Sequence, residues 1–157
     1  MDAELYFLKY SFPCAHVLLD MGSITQTKFD ELKENTLNNK KMNKTELMML
    51  FPAAFRRMNE VAAKMRKDVW DKEVIKHYFL HDHNMYIDKK EGNYGRFTKT
   101  FRDFCKIYKA EVIAREDNAL TVKFEGGQRT VFSDILPDAK VGDKVSIHQA
   151  FAVEKLE

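Results

Sequence analysis

No apolar run in this 157-residue chain approaches the ~20 residues that a membrane-spanning helix requires; the longest are Val17 to Leu19 and Leu47 to Phe51. The start, Met-Asp-Ala-Glu, lacks the basic segment of a secretory leader, so none is expected and the cytoplasm is the expected compartment. Cysteine is confined to Cys14 and Cys105, too few for a disulfide scaffold, and free thiols are expected. Neither sign of charge prevails. With 26 Lys and Arg against 24 Asp and Glu, nothing in the balance asks for nucleic acid or an anionic membrane as partner. Internal repeats and low-complexity tracts are absent. So are a nucleophile elbow, a glycine-rich phosphate loop and a carboxylate pair distinct from surface charge, and no enzymatic activity is expected.

What is present, 45% hydrophobic and 32% charged residues, is normal for a folded globular protein. The length suits one medium domain or two small ones, and two different periods divide it. Before Cys105 the spacing is helical. Pro13 suits a first helical position and Gly22 a left-handed stop; Phe29, Leu32 and Thr36 recur on one side of a helix over 27–37. Asn43-x-x-Glu46 has capping-box form, Pro52 starts a new helix, and Phe55, Met58, Ala62 and Met65 form an apolar stripe. A further helix over 71–84 turns Val74, Ile75, Tyr78 and Phe79 inward. Gly92-Asn93-Tyr94-Gly95 is the clearest break. After Cys105 the period is two: Tyr108, Ala110, Val112 and Ala114 share one parity, Leu120, Val122 and Phe124 another run. Asp117-Asn118 and Gly126-Gly127 are turns, and Val145, Ile147, Phe151 and Val153 line one face of a last strand or bent pair. The expected fold is α+β: a helical domain over 1–95, a linker or connecting helix over 96–104, and a small antiparallel β-barrel of OB or SH3 type over 105–157.

Cys105 and His148 are the first candidates for chemistry. Each falls on the parity opposite to the barrel's inward residues, so both are expected to point out of the core. The context Ile147-His148-Gln149-Ala150-Phe151-Ala152, the preceding Pro137-Asp138-Ala139-Lys140-Val141-Gly142-Asp143, and the register of Cys105 with Ala110 and Val112 resemble the HypC/HupF family of [NiFe]-hydrogenase maturation chaperones. That resemblance covers about the last third of the chain. It implies a HypC-like barrel and a non-enzymatic accessory protein of metallocentre assembly. Cys105 and His148 would hold a transient iron fragment, and the maturation machinery or its equivalent would be the protein partner. A soft thiolate beside an imidazole suits low-valent iron with strong-field ligands. A thiolate so placed has a lowered pKa, so Cys105 is expected to react readily with alkylating reagents. The alternative is a binding module, for protein or single-stranded nucleic acid, that kept the barrel without the iron chemistry.

Two further groups stand beside these. His77 and His81 are spaced i, i+4, as in helical zinc sites, with His83 next to them; Cys14 and His16 are possible further ligands. The segment between His77 and His81 is Tyr-Phe-Leu and carries no HExxH glutamate, which argues against a zinc protease. Histidines capping a helix end are the plainer reading. Arg96, Lys99 and Arg102, interleaved with Phe97 and Phe101, form a basic and aromatic run of the kind that binds single strands, although the same aromatics also serve as ordinary core residues.

Overall fold

The computed structural model describes every residue, Met1–Glu157, and the fold is α+β, helices first and a small closed barrel after them. By contact the chain forms two compact units, Met1–Asp82 and His83–Glu157.

The first unit contains six α-helices: α1 (Ala3–Ser11), α2 (Ala15–Asp20), α3 (Gln26–Leu37), α4 (Lys44–Leu50), α5 (Pro52–Met65) and α6 (Lys72–His77). A 3₁₀ turn, Phe12–Cys14, joins α1 to α2, and a π-helical segment, Tyr78–Asp82, follows α6. Local chemistry sets the ends. Thr25 Oγ1 accepts from Lys28 N at 3.1 Å, and Asn43 Oδ1 from Thr45 N and Glu46 N at 2.9 and 3.3 Å. Each such cap satisfies backbone donors that a helix start leaves without partners. Pro52 opens α5, and Arg66, left-handed at φ 54°, closes it. The core contains a cluster of rings. Phe7 meets Phe55 and Phe79 at ring-centroid distances of 4.6 and 5.8 Å, and Tyr10 stacks on Phe79 at 5.0 Å. Of the inward residues expected of α5 and of the segment after Asp71, Phe55, Met58, Ala62, Val74, Ile75, Tyr78 and Phe79 are buried, and Met65 is half-buried at the end of α5.

The second unit opens with α7 (His83–Asp88), a 3₁₀ turn (Gly92–Arg96) and α8 (Lys99–Cys105). Most of the expected connecting segment, 96–104, is thus the helix α8. All the β structure comes after it: β1 (Ile107–Glu116), β2 (Ala119–Phe124), β3 (Gly127–Phe132), β4 (Lys144–His148) and β5 (Phe151–Lys155). The strands close in the order β1-β2-β3-β5-β4, a Greek-key arrangement of OB type. Every join is antiparallel except β3 with β5, which meet in parallel at the single pair Phe132 and Phe151. The core holds Ala110, Val112, Leu120, Val122, Val131, Ala139, Val145, Ile147 and Ala152.

Alternation misplaces three residues here. Ala114 is exposed, because the β1–β2 register slips between Val112 and Ala114 and the inward parity ends there. Phe151 and Val153 do not join the barrel core; Ala152 does. The two-residue turn at Gln149 and Ala150, with Gln149 at φ 52°, pairs Ile147 with Ala152 and so puts those two side chains on one face. No helix is long and apolar enough to cross a membrane.

Candidate functional site

Asn84, in the first turn of α7, fastens that helix to the barrel. Its amide donates to the Ile107 carbonyl at 2.7 Å and its carbonyl accepts from Ile107 N at 2.8 Å. One side chain therefore satisfies both backbone groups at the first residue of β1, where the ladder would otherwise leave them open. The neighbouring His83 consequently sits over the end of β4. Its ring meets that of His148 edge-on, with centroids 5.1 Å apart and planes at 79°. His148 is in turn the β4 partner of Ile107.

Cys105 is the last residue of α8, two positions before Ile107. Gln149, next to His148, donates its amide to Cys105 Sγ at 3.6 Å. The left-handed backbone of Gln149 is what the tight β4–β5 turn demands, and it is unusual for a residue other than glycine. Cys105, Gln149, His148 and His83 thus gather at one corner, brought there by α8, the turn and α7. Arg129 of β3 braces the same turn by donating from Nη1 to the Gln149 carbonyl at 3.2 Å.

The parity expectation holds in one respect and fails in another. His148 alternates with the core residue Ile147 on β4, as expected, whereas Cys105 ends helix α8 instead of beginning the barrel, so strand parity does not apply to it. Both are nonetheless closed off, Cys105 at 3% and His148 at 1% exposure. The outer face of β4 is covered at this point, as the burial of Ser146 on the same face also shows. Strand alternation reports which side of a sheet a residue takes, not whether a helix lies over that side. The expected thiolate is corrected too. Burial pushes the Cys105 thiol up to about 11, while the Gln149 amide acts weakly in the other direction. Such a thiol is a poor nucleophile near neutral pH.

The second group does not assemble. His77 ends α6 and His81 lies in the π-helical segment, so the i, i+4 pair is not carried on one regular α-helix. Their rings lie 5.0 Å apart, and His77 Nε2 faces Asp82 Oδ1 at 3.6 Å. His83 instead turns its ring to His148. Cys14 Sγ donates to the Ser11 carbonyl at 3.1 Å and His16 faces Asp20 at 3.9 Å, each within its own turn. Neither cysteine is in a disulfide, and no group of three or more His, Cys, Asp or Glu side chains is placed to hold a metal ion. Of the basic run, Lys99 pairs with Asp103 at 2.8 Å, Arg102 donates to the Phe97 carbonyl, and Arg96 ends the 3₁₀ turn.

Sequence reasoning missed Asn84, Gln149 and the pairing of His83 with His148. Gln149 stands beside His148 in the motif, so attention to that motif would have found it. Asn84 carried no signal, and His83 was singled out only with His77 and His81, because both roles depend on how α7 lies on the barrel. No protein-family model matches the chain, and no curated protein is detectably similar to it.

Proposed function

We propose that this protein is a non-enzymatic binding module built on a barrel of the HypC kind, in which the corner of Cys105 and His148 is closed and serves as structure. The burial of Cys105 carries this reading. A thiol at 3% exposure whose pKa is pushed up to about 11 is protonated across the physiological range, and a protonated thiol is a weak ligand and a weak nucleophile. In the native protein, iodoacetamide should therefore leave Cys105 unmodified while labelling it fully in urea, as read by peptide mass spectrometry. Rapid labelling of native Cys105 would overturn the reading.

One observation supports a second reading, iron-fragment delivery in [NiFe]-hydrogenase metallocentre assembly. The Gln149 amide donates to Cys105 Sγ, and Gln149 is the chain neighbour of His148, which favours a thiol and an imidazole acting from one turn. Under that reading a protein partner must first open the corner. Infrared spectra after anaerobic co-expression with hydrogenase maturation partners separate the two. Cyanide and carbonyl bands that vanish in Cys105→Ala establish delivery; their absence leaves the binding module.

A further inference from the structure

The second unit carries another feature that the Cys105 corner does not use. Arg129, half-buried, lies over three rings, Phe104 at 5.0 Å, Phe124 at 5.1 Å and Tyr108 at 5.7 Å. Its hydrogen-bond partner is a carbonyl, that of Gln149, and no carboxylate balances its charge. A guanidinium offers five N–H donors, so this one keeps capacity for an anion. The rings around it continue outward. Tyr108 meets Phe124 at 4.6 Å; Phe104 is followed by Phe101 at 6.2 Å, Phe97 a further 4.8 Å on, and Tyr94 6.1 Å beyond that. All of these rings are partly exposed.

We infer that this face, from Tyr94 through Arg129, binds single-stranded nucleic acid, with guanidiniums on phosphates and rings on bases. The inference rests on the binding-module reading and supplies its partner. Charge complementarity points to a polyanion. Residues 94–109 hold Arg96, Lys99, Arg102, Lys106 and Lys109 against one carboxylate, Asp103. Asp103 and Asp88 take up Lys99 and Lys106, at 2.8 and 2.7 Å. Arg96, Arg102 and Arg129 have no such partner. The rings then choose among polyanions. An acidic peptide would answer the cations and leave the flat faces without a counterpart, whereas every base has a face to stack. In a duplex those faces are already stacked on one another, so the single strand is the fitting form. The near-neutral balance of the whole chain conceals this local separation of charge.

The test is fluorescence anisotropy of the full-length protein with labelled oligo(dT) of about 12 nucleotides, a length within the range such surfaces cover. Binding is expected at ~50 mM salt, falling as salt rises with the slope of about two or three phosphates. Arg96→Glu with Arg102→Glu should weaken it about tenfold or more, and Phe101→Ala by about tenfold, since stacking contributes on that scale. Arg129→Lys keeps the charge but not the planar fork and should also weaken binding. A circular-dichroism melt of each variant separates lost binding from lost folding, and the partly exposed Phe101 keeps the test open if Arg129 variants unfold. No binding at low salt overturns the inference, whatever Cys105 does. Binding that ignores Phe101→Ala and is displaced equally by polyglutamate also overturns it, in favour of an acidic protein partner. Cyanide and carbonyl bands in the co-expressed protein would instead overturn the underlying reading, independently of the anisotropy.

Discussion

The two units bury different chemistry. In the helical unit rings share the interior with aliphatic side chains: Phe7, Tyr10, Phe12, Phe55, Tyr78 and Phe79 are buried alongside Leu8, Leu32, Met58 and Ile75. In the barrel the interior is aliphatic and small, with valine, isoleucine, leucine and alanine and no ring among its fully enclosed members. Geometry accounts for the contrast. Short helices of 6 to 14 residues meet at varied angles and leave irregular spaces, which large flat side chains fill with few pieces. A closed five-stranded barrel has a narrow, regular lumen, in which β-branched side chains interdigitate and a ring would overpack. The barrel's partly exposed aromatics, Tyr108 and Phe124 among them, pack against its core from the margin. Rings thus enter the core of the helical unit and stay at the margin of the barrel.

Substitutions can break this comparison. The largest effect is expected from Phe7→Ala, which removes the ring that touches Phe51, Phe55, Trp70 and Phe79. It should cost about 3–5 kcal/mol in urea denaturation, and a loss under about 1 kcal/mol would mean the rings are loosely packed. An intermediate effect tests the closed corner, which belongs to neither core. The pKa of Cys105 rises from 9.0 in the unfolded reference to about 11 when folded. The folded protein then keeps its proton after the unfolded chain has lost it, so stability is full below pH 9 and falls as pH climbs to about 11. The loss should reach about 2–3 kcal/mol at the top of that window. Cys105→Ala should remove that component, and an unchanged slope in the variant would refute the closed corner. The smallest effect is expected from Ile147→Val in the barrel. Deleting one methylene there should cost about 0.5–1.5 kcal/mol, because a lumen lined by many small groups loses little with each. A cost as large as that of Phe7→Ala would mean that the two interiors are equally intolerant.

Much of the fold was legible because it rests on local rules. Asn43 caps α4 and Pro52 opens α5 through chemistry confined to a few residues. The change of period at Cys105 falls on the last residue of α8, two residues before β1 begins. The places where the reading failed are those where position depends on something distant in sequence. Ala114 left the core because β2 slips against β1, and Phe151 because a tight turn reset the register. Of the candidate site, the sequence indicated that His148 stands outside the barrel core, while Cys105, expected on the barrel, ends helix α8. It could not indicate that His148 would be covered, since His83 reaches it beside Asn84, which bonds to Ile107, 23 residues away along the chain. Arg129 drew no notice in the sequence for the same reason, its rings arriving from α8, β1 and β2.

Closure of the barrel also limits how a partner can hold on. With β4 returning to β1, the strands other than β3 and β5 present no free row of backbone donors and acceptors for a visiting peptide to extend. Recognition there runs through side chains on the outer surface. The one exception is built into the fold. β3 and β5 are joined by the single pair Phe132 and Phe151, supported by the bond from Phe132 N to the Ala150 carbonyl at 2.7 Å, whereas the β1–β4 join has five pairs. If the cylinder unzips in its native state, the tear starts there, and amide protons on either side of Phe132 should exchange with solvent before those of β1.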